Sequence, residues 1–265
     1  MKEILGFRFV WTGRGFGNPL QLSYLVGVLN DNGINAVLSE HRRVRGLVDV
    51  PLYDKSDAQG RFSIHTWKIN STYKDKHCCD RPGVLQYLDE IEKRMGRKIE
   101  IKDEHDHVPV KYYDIPQIPS VDVVMCTRTG PWAPYREWPY FEELKALFDK
   151  VSITYVDLNK EGILSFECLN YVNKCKLYLG LETGTSHYVS QFANGKALIL
   201  QSGFTPFQFW AYPYHYDYLT YDVPCQPCII NKKDIEEGIV CKRDQECMKK
   251  LSVEKVFMEI VKRIR

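Results

Sequence analysis

The stretch Tyr178-Leu-Gly-Leu-Glu-Thr-Gly-Thr-Ser-His187 decides how this chain is built. Val172, Leu177, Leu179 and Leu181 give its leading side the apolar character of a short buried strand. Glu182-Thr-Gly-Thr-Ser186 then supplies a carboxylate, hydroxyls and a glycine. The pattern predicts a strand, a tight turn and the first turn of a helix. Backbone N–H groups at a helix start lack intrahelical partners and carry the positive dipole end, so such a turn can hold a phosphate. Gly184 lets the backbone approach a ligand with no Cβ in the way. Glu182 can take the hydroxyls of a sugar or a ribose. The same letters also describe a plain capped helix after a core strand, with Thr185 or Ser186 as its N-cap.

Strands and helices alternate on both sides of this turn. Downstream comes the strand Ala197-Leu-Ile-Leu200, after a helix over 186–193. Upstream lie Val121-Asp-Val-Val-Met-Cys126, a loop to Pro139, a helix over 140–149, a strand over 151–156 and a helix near 165–174. The chain closes on a helix from Ser252, with Ser252 as N-cap and Glu254 in the first turn. The beginning repeats the theme. A buried strand over 4–11 leads into Gly13-Arg-Gly-Phe-Gly17, then a helix from Asn18 to Asn32 with Pro19 in its first turn and Gly33 as its stop, then the strand Asn35–Ser39. Residues 41–82 read as irregular and basic, 83–96 as an amphipathic helix, and 103–120 as a linker rich in His and Pro. The fold class is therefore α/β, with two Rossmann-like lobes over 1–118 and 119–265 and a ligand cleft between them at the carboxyl ends of parallel strands.

Composition narrows the function. With 265 residues, 44% hydrophobic, the chain can bury substantial cores. The 36 Lys and Arg stand against 34 Asp and Glu, which argues against a generic polyanion binder but leaves room for a local basic patch. No apolar run approaches the roughly 20 residues of a membrane span. The charged, strand-like N-terminus does not read as a signal peptide, so a cytoplasmic protein is expected. Its nine cysteines would then be mostly thiols or metal ligands.

Four pieces in one order now resemble a known family, the heptosyltransferase-like glycosyltransferases (glycosyltransferase family 9) of the two-lobed GT-B fold. The glycine loop after the first strand is Gly17-Asn18-Pro19-Leu20, where the family has Gly-Asp. Arg136-Glu137-Trp138-Pro139 is similar to its Lys/Arg-x-Trp-Pro element. Glu182-Thr183-Gly184-Thr185-Ser186-His187 is similar to its Asp-Thr-Gly-x-x-His turn. Cys225, Cys228, Cys241 and Cys247 precede a final Ser-x-Glu-x-Val helix, as in many members. The resemblance covers residues 120–265 and, in the first lobe, rests on the glycine loop.

The resemblance implies an inverting glycosyltransferase using a nucleotide-diphosphate sugar, either ADP-heptose-like or a UDP-sugar. Arg136 would lie near the Thr-Gly turn and, with Thr183, Gly184 and Thr185, hold the phosphates. Negative charge builds on the leaving diphosphate, and a cation with helix N–H donors stabilises it, so no catalytic metal is required. Glu182 would bind sugar hydroxyls, and His187 would bond to the donor or pack the turn. The acceptor-side loop would be Gly15, Gly17 and Asn18. In the family the Asp of Gly-Asp looks like the general base; Asn18 cannot accept a proton at neutral pH. Asn18 can still orient an acceptor, or simply cap a helix. Asp49, Asp54, Asp57, His41 and His65 are other candidates for the base. Acceptors in view are a saccharide such as a lipopolysaccharide core, a protein side chain, or a hydroxymethylated DNA base, the last supported by the basic 41–81 segment.

The four cysteines have a Cys-x-x-Cys knuckle and a wider second pair. Four thiolates suit structural Zn or Fe and leave no open position for catalysis; free thiols or a disulfide are the alternatives. The aromatic loop Phe204–Tyr221 can wall a nucleotide base by stacking or pack between lobes. Readings of a different class are a non-catalytic nucleotide-sugar-binding protein and a Cys-metal interaction module.

Overall fold

Strands of alternating or continuous apolar residues gather here into two parallel sheets. The computed structural model describes residues 6–10, 17–39, 52–53, 61–65, 83–102, 118–130, 134–163, 167–190, 196–205, 217–228 and 241–265.

The first sheet contains β1 (Gly6–Val10), β2 (Ala36–Ser39), β3 (Leu52–Tyr53) and β4 (Arg61–His65), in the order β3-β2-β1-β4. Helix α1 (Gly17–Asp31) joins β1 to β2, and α2 (Gly83–Met95) follows β4. All its strand pairs are parallel. Helix α1 ends where the sequence says it should. Gly33 takes φ 69°, its N–H bonds to the Asn30 carbonyl at 2.9 Å, and the Ile34 N–H reaches the Leu29 carbonyl at 2.9 Å. This pair of bonds closes the helix end in the left-handed conformation that glycine adopts without penalty. The Asn30 amide then clamps Ala36, the first residue of β2, from both its N–H and its C=O.

The second sheet contains β5 (Val121–Met125), β6 (Tyr155–Asp157), β7 (Cys175–Leu181), β8 (Ala197–Leu200) and β9 (Asp217–Leu219), in the order β6-β5-β7-β8-β9, again all parallel. Its helices are α3 (Phe141–Lys150), α4 (Cys168–Asn173), α5 (Gly184–Ser190), α6 (Glu246–Lys249) and α7 (Val253–Ile264), with a short 3-10 turn at Pro134–Arg136. Period-two alternation sorts its side chains to two buried faces. Val123, Met125, Leu177, Leu179, Leu181, Leu198 and Leu200 pack under α3 and α7. Val124, Tyr178, Ala197 and Ile199 face the other way, into a core shared with α1, α2 and the first sheet. The Ser252 cap is as expected, accepting the Lys255 N–H at 3.2 Å.

Three expectations are corrected. Residues 41–82 are not wholly irregular: Arg61–His65 pairs along the full length of β1, with Phe62 and Ile64 as its only strongly apolar positions, and Leu52–Tyr53 extends β2. Basic and polar neighbours hide these short strands. The long aromatic loop is interrupted by β9. Helix α1 opens at Gly17, so Asn18 stands inside its first turn rather than capping it. Most of the linker, 103–117, lies outside the described residues.

Candidate functional site

In the second sheet the strand order reverses between β5 and β7. Loops leaving two such strands diverge, and the crevice at their carboxyl ends is where ligands bind in open parallel sheets. The loop after β5 carries Arg136 and the turn after β7 carries Glu182 to His187, so topology brings the two motifs together.

The turn after β7 is fixed by hydroxyls. Thr183 is the cap: its Oγ1 accepts the Ser186 N–H at 3.2 Å. This corrects the assignment to Thr185 or Ser186, because the helix already begins at Gly184. Ser186 has another task. Its Oγ donates to the Leu181 carbonyl at 2.6 Å and meets the Tyr178 hydroxyl at 3.0 Å. A Cβ on Gly180 would stand 2.5 Å from Ser186 Oγ and 2.5 Å from the Tyr178 ring. Gly180, missed in the sequence, is therefore needed for close approach between strand and helix.

Arg136 is buried. Its Nη1 donates to the Glu182 carbonyl at 2.8 Å, and its guanidinium lies 4.9 Å from the centre of the Phe204 ring. Burial lowers its pKa, and the Glu182 charge opposes this; an arginine remains protonated all the same. The loop presenting it is held at its base. Asn159 Oδ1 accepts the Thr127 and Arg128 N–H groups at 2.7 and 3.0 Å. Glu137 Oε1 accepts the Thr129 N–H at 2.9 Å, and Glu137 Oε2 pairs with Arg128 at 3.0 Å. Asp157 accepts from Thr127 Oγ1 at 2.9 Å and pairs with buried Lys145 at 2.6 Å. Trp138 anchors the far end by donating its indole N–H to the Leu251 carbonyl at 2.8 Å.

Glu182 is 1% exposed. Its Oε2 accepts the Ser202 N–H at 3.0 Å and the Ser202 hydroxyl. Burial pushes its carboxyl up to about 7, against the opposing pull of Arg136 and Ser202. His187 is buried too, and burial, helped by Arg136, pushes it down to about 3, so it is neutral at physiological pH. Its backbone N–H bonds to the Thr183 carbonyl at 3.2 Å. Arg136, Glu182, Thr183, Gly184, Thr185 and His187 are thus brought to one crevice. Gly17 and Asn18 stand at the start of α1, and Gly15 lies outside the described residues. Sequence reasoning missed Glu137, Asn159, Ser202 and Tyr135, whose ring packs 6.0 Å from that of Phe204. Of the aromatic loop, Phe204 does face the site, and 206–216 lie outside the described residues.

Cys225, Cys228, Cys241 and Cys247 are free thiols. Burial, with the neighbouring Cys225, Cys247 and Cys241, pushes the Cys228 thiol up to about 12. Cys241 Sγ accepts the Gln245 N–H at 3.1 Å, and the Cys228 N–H bonds to the Gly203 carbonyl at 2.7 Å. The four thiols are neighbours, yet among the described residues no three His, Cys, Asp or Glu side chains form a metal-ligand group. Nor is any described helix long and apolar enough to cross a membrane.

No protein-family model and no curated protein matches the chain. Solved structures do. The iron-containing dodecameric glycosyltransferase TibC from enterotoxigenic E. coli H10407 is similar with a TM-score of 0.65 at 10% identity, over 98% of this chain and 78% of that one. The family 9 glycosyl transferase from Veillonella parvula DSM 2008 gives 0.62 at 10% identity, over 100% and 98%. The E. coli heptosyltransferase WaaC, solved with ADP-2-deoxy-2-fluoro heptose, gives 0.53 at 11% identity, over 97% and 99%. The chain is built on the GT-B fold of these heptosyltransferases and family 9 glycosyltransferases.

Proposed function

We propose that this chain is an inverting glycosyltransferase that takes its sugar from a nucleotide-diphosphate donor. The observation that carries the reading is Arg136, a cation buried against the backbone of the 182–187 turn at the strand-order reversal. The diphosphate lies against Arg136 and the Thr183-Gly184-Thr185 segment, the sugar hydroxyls reach Glu182, and neutral His187 packs the turn. TibC has been solved with ADP-D-β-D-heptose, which supports an ADP-heptose-like donor; a UDP-sugar is the alternative. Residues 1–118 form the acceptor side and 119–265 the donor side.

In the reaction an acceptor hydroxyl oxygen bonds to the anomeric carbon as the bond from that carbon to the diphosphate oxygen breaks. The electron pair leaves with the nucleoside diphosphate, where Arg136 meets the growing charge without a catalytic metal. The hydroxyl proton passes to a base. Asn18 cannot take it and serves as an orienting group with Gly15 and Gly17. Of the alternative bases, His65 ends β4 in register with Val10, at the carboxyl edge of the first sheet. The acceptor is a saccharide or a hydroxymethylated DNA base.

Cys225, Cys228, Cys241 and Cys247 hold a structural Zn or Fe in this reading, and no step passes through it. Their mutual neighbourhood and their all-thiol chemistry support it, although the side chains do not stand as a closed ligand set. TibC is described as iron-containing.

The test is a donor screen. Purified protein is mixed with ADP-, UDP- and GDP-sugars, with and without core oligosaccharide or hydroxymethylated DNA, and nucleoside diphosphate release is read. Release with one donor and one acceptor supports the reading. Tight binding of one nucleotide sugar without turnover in any combination favours a binding protein instead.

A further inference from the structure

Two buried polar atoms at the carboxyl end of the second sheet have no hydrogen-bond partner among the described residues: Glu182 Oε1 and Thr205 Oγ1. Their residues are 1% and 5% exposed. Each residue is held in place by its other atoms. Glu182 Oε2 accepts the Ser202 N–H at 3.0 Å as well as the Ser202 hydroxyl. Ser202 Oγ accepts the Phe204 N–H at 3.3 Å, and the Thr205 carbonyl accepts Gln201 Nε2 at 2.9 Å. The 201–205 turn is thus folded around the Glu182 carboxylate. Phe204, the residue before Thr205 in this turn, is the ring beneath Arg136.

Folding gains nothing from leaving these two atoms unpaired. An unsatisfied buried polar group lowers stability, and valine has the shape of threonine without the hydroxyl. Groups that are costly to the fold and sit at a ligand crevice point to a ligand that completes them. The chemistry of the pair selects the kind of ligand. A phosphate belongs with the cation Arg136; a carboxyl and a hydroxyl match alcohol hydroxyls, which both donate and accept.

We propose that Thr205 is a specificity residue, its Oγ1 acting with Glu182 Oε1 to bind hydroxyls of the donor sugar. The proposal rests on the reading of this crevice as a nucleotide-sugar site and adds to it a residue that tells the sugar from the bare nucleotide.

The experiment compares wild type with Thr205→Val and Thr205→Ser. Calorimetry measures binding of ADP-, UDP- and GDP-sugars and of ADP, UDP and GDP. Thermal unfolding is followed without ligand. Thr205→Val is expected to weaken the nucleotide sugar by about five- to tenfold, the share of one hydrogen bond, and to leave the matching nucleoside diphosphate unchanged. Thr205→Ser should retain wild-type binding, and Thr205→Val should unfold no lower than wild type. Equal effects on both ligands, no effect on either, or a lowered unfolding temperature in Thr205→Val would overturn the proposal, the last because the hydroxyl would then have a partner, such as a buried water. If wild type binds none of these nucleotides, the transferase reading has failed. Thr205 is then judged by unfolding with free glucose, mannose or ribose. Stabilisation that Thr205→Val abolishes supports the hydroxyl site, and its absence rejects it.

Discussion

Arg136 Nη1 donates to the Glu182 carbonyl at 2.8 Å across the crevice between β5 and β7. One cation thereby ties the loop after the first strand of the sheet to the turn after its third. The Phe204 ring lies 4.9 Å from the guanidinium carbon, within cation–π range. Arg136→Ala should weaken nucleoside diphosphate binding by about tenfold to a hundredfold, the range of a charge-assisted hydrogen bond. Arg136→Lys should recover part of this, since it keeps the charge but loses the fork and the stacking. Calorimetry with ADP, UDP and GDP checks both, and an unchanged affinity in Arg136→Ala would remove the argument for a diphosphate site.

Glu137 is next in the chain and points the other way. It closes the loop by accepting the Thr129 N–H and pairing with Arg128, while Arg136 enters the crevice. The Arg128 pair is solvent-exposed and contributes little by itself; the hold on the Thr129 N–H is what sets the loop. Glu137→Ala should therefore weaken diphosphate binding through Arg136, with faster hydrogen exchange at Thr129. In an Arg136→Ala background the same change should do almost nothing more. Additive effects in this double-mutant cycle would mean that Glu137 acts on general stability alone.

The central strands β5, β7 and β8 of the second sheet were legible because they are largely buried and so read as apolar runs, whereas the short, exposed edge strand β9 was hidden in an aromatic stretch. The turn at Glu182–His187 was legible for the same reason: the switch from Leu181 to polar residues marks the strand end. What was hidden is long-range. Gly180 looks like any small strand residue until Ser186 is found against it. Glu137 looks like a surface charge until the Thr129 N–H is found on it. Ser202 carries no motif, yet it fixes the Glu182 carboxylate. The β4 strand failed for a different reason, since a five-residue element in a basic stretch is stabilised by pairing with β1 rather than by its own pattern.

The cysteine cluster makes a prediction that is independent of catalysis. If the four thiols close on a metal, purified protein should carry about one Zn or Fe per chain by elemental analysis. Cys228→Ser should lose most of it, and a chelator should lower the unfolding temperature of wild type more than that of the variant. Metal-free protein that unfolds identically with and without chelator would leave four ordinary thiols.

Glu182 and His187 predict opposing slopes of stability with pH. The Glu182 carboxyl is raised from 4.5 to about 7 in the fold. Its stabilising contribution is complete below pH 4.5 and is lost as pH rises through about 7, because the folded state holds the proton longer than the unfolded chain. His187 is lowered from 6.5 to about 3. Its contribution is present above pH 6.5 and is lost as pH falls through about 3, because the unfolded chain binds the proton first. Between pH 4.5 and 6.5 the two offset one another. Each full shift corresponds to a few kcal/mol, on the order of 3 for Glu182 at about 1.4 kcal/mol per pKa unit. Glu182→Gln, which removes the falling arm, should grow more stable with pH relative to wild type across this window. His187→Gln, which removes the rising arm, should grow less stable. Denaturant unfolding of the three proteins at half-unit pH steps gives the slopes. Parallel curves for all three would mean that neither group is held in the ionisation state its burial implies.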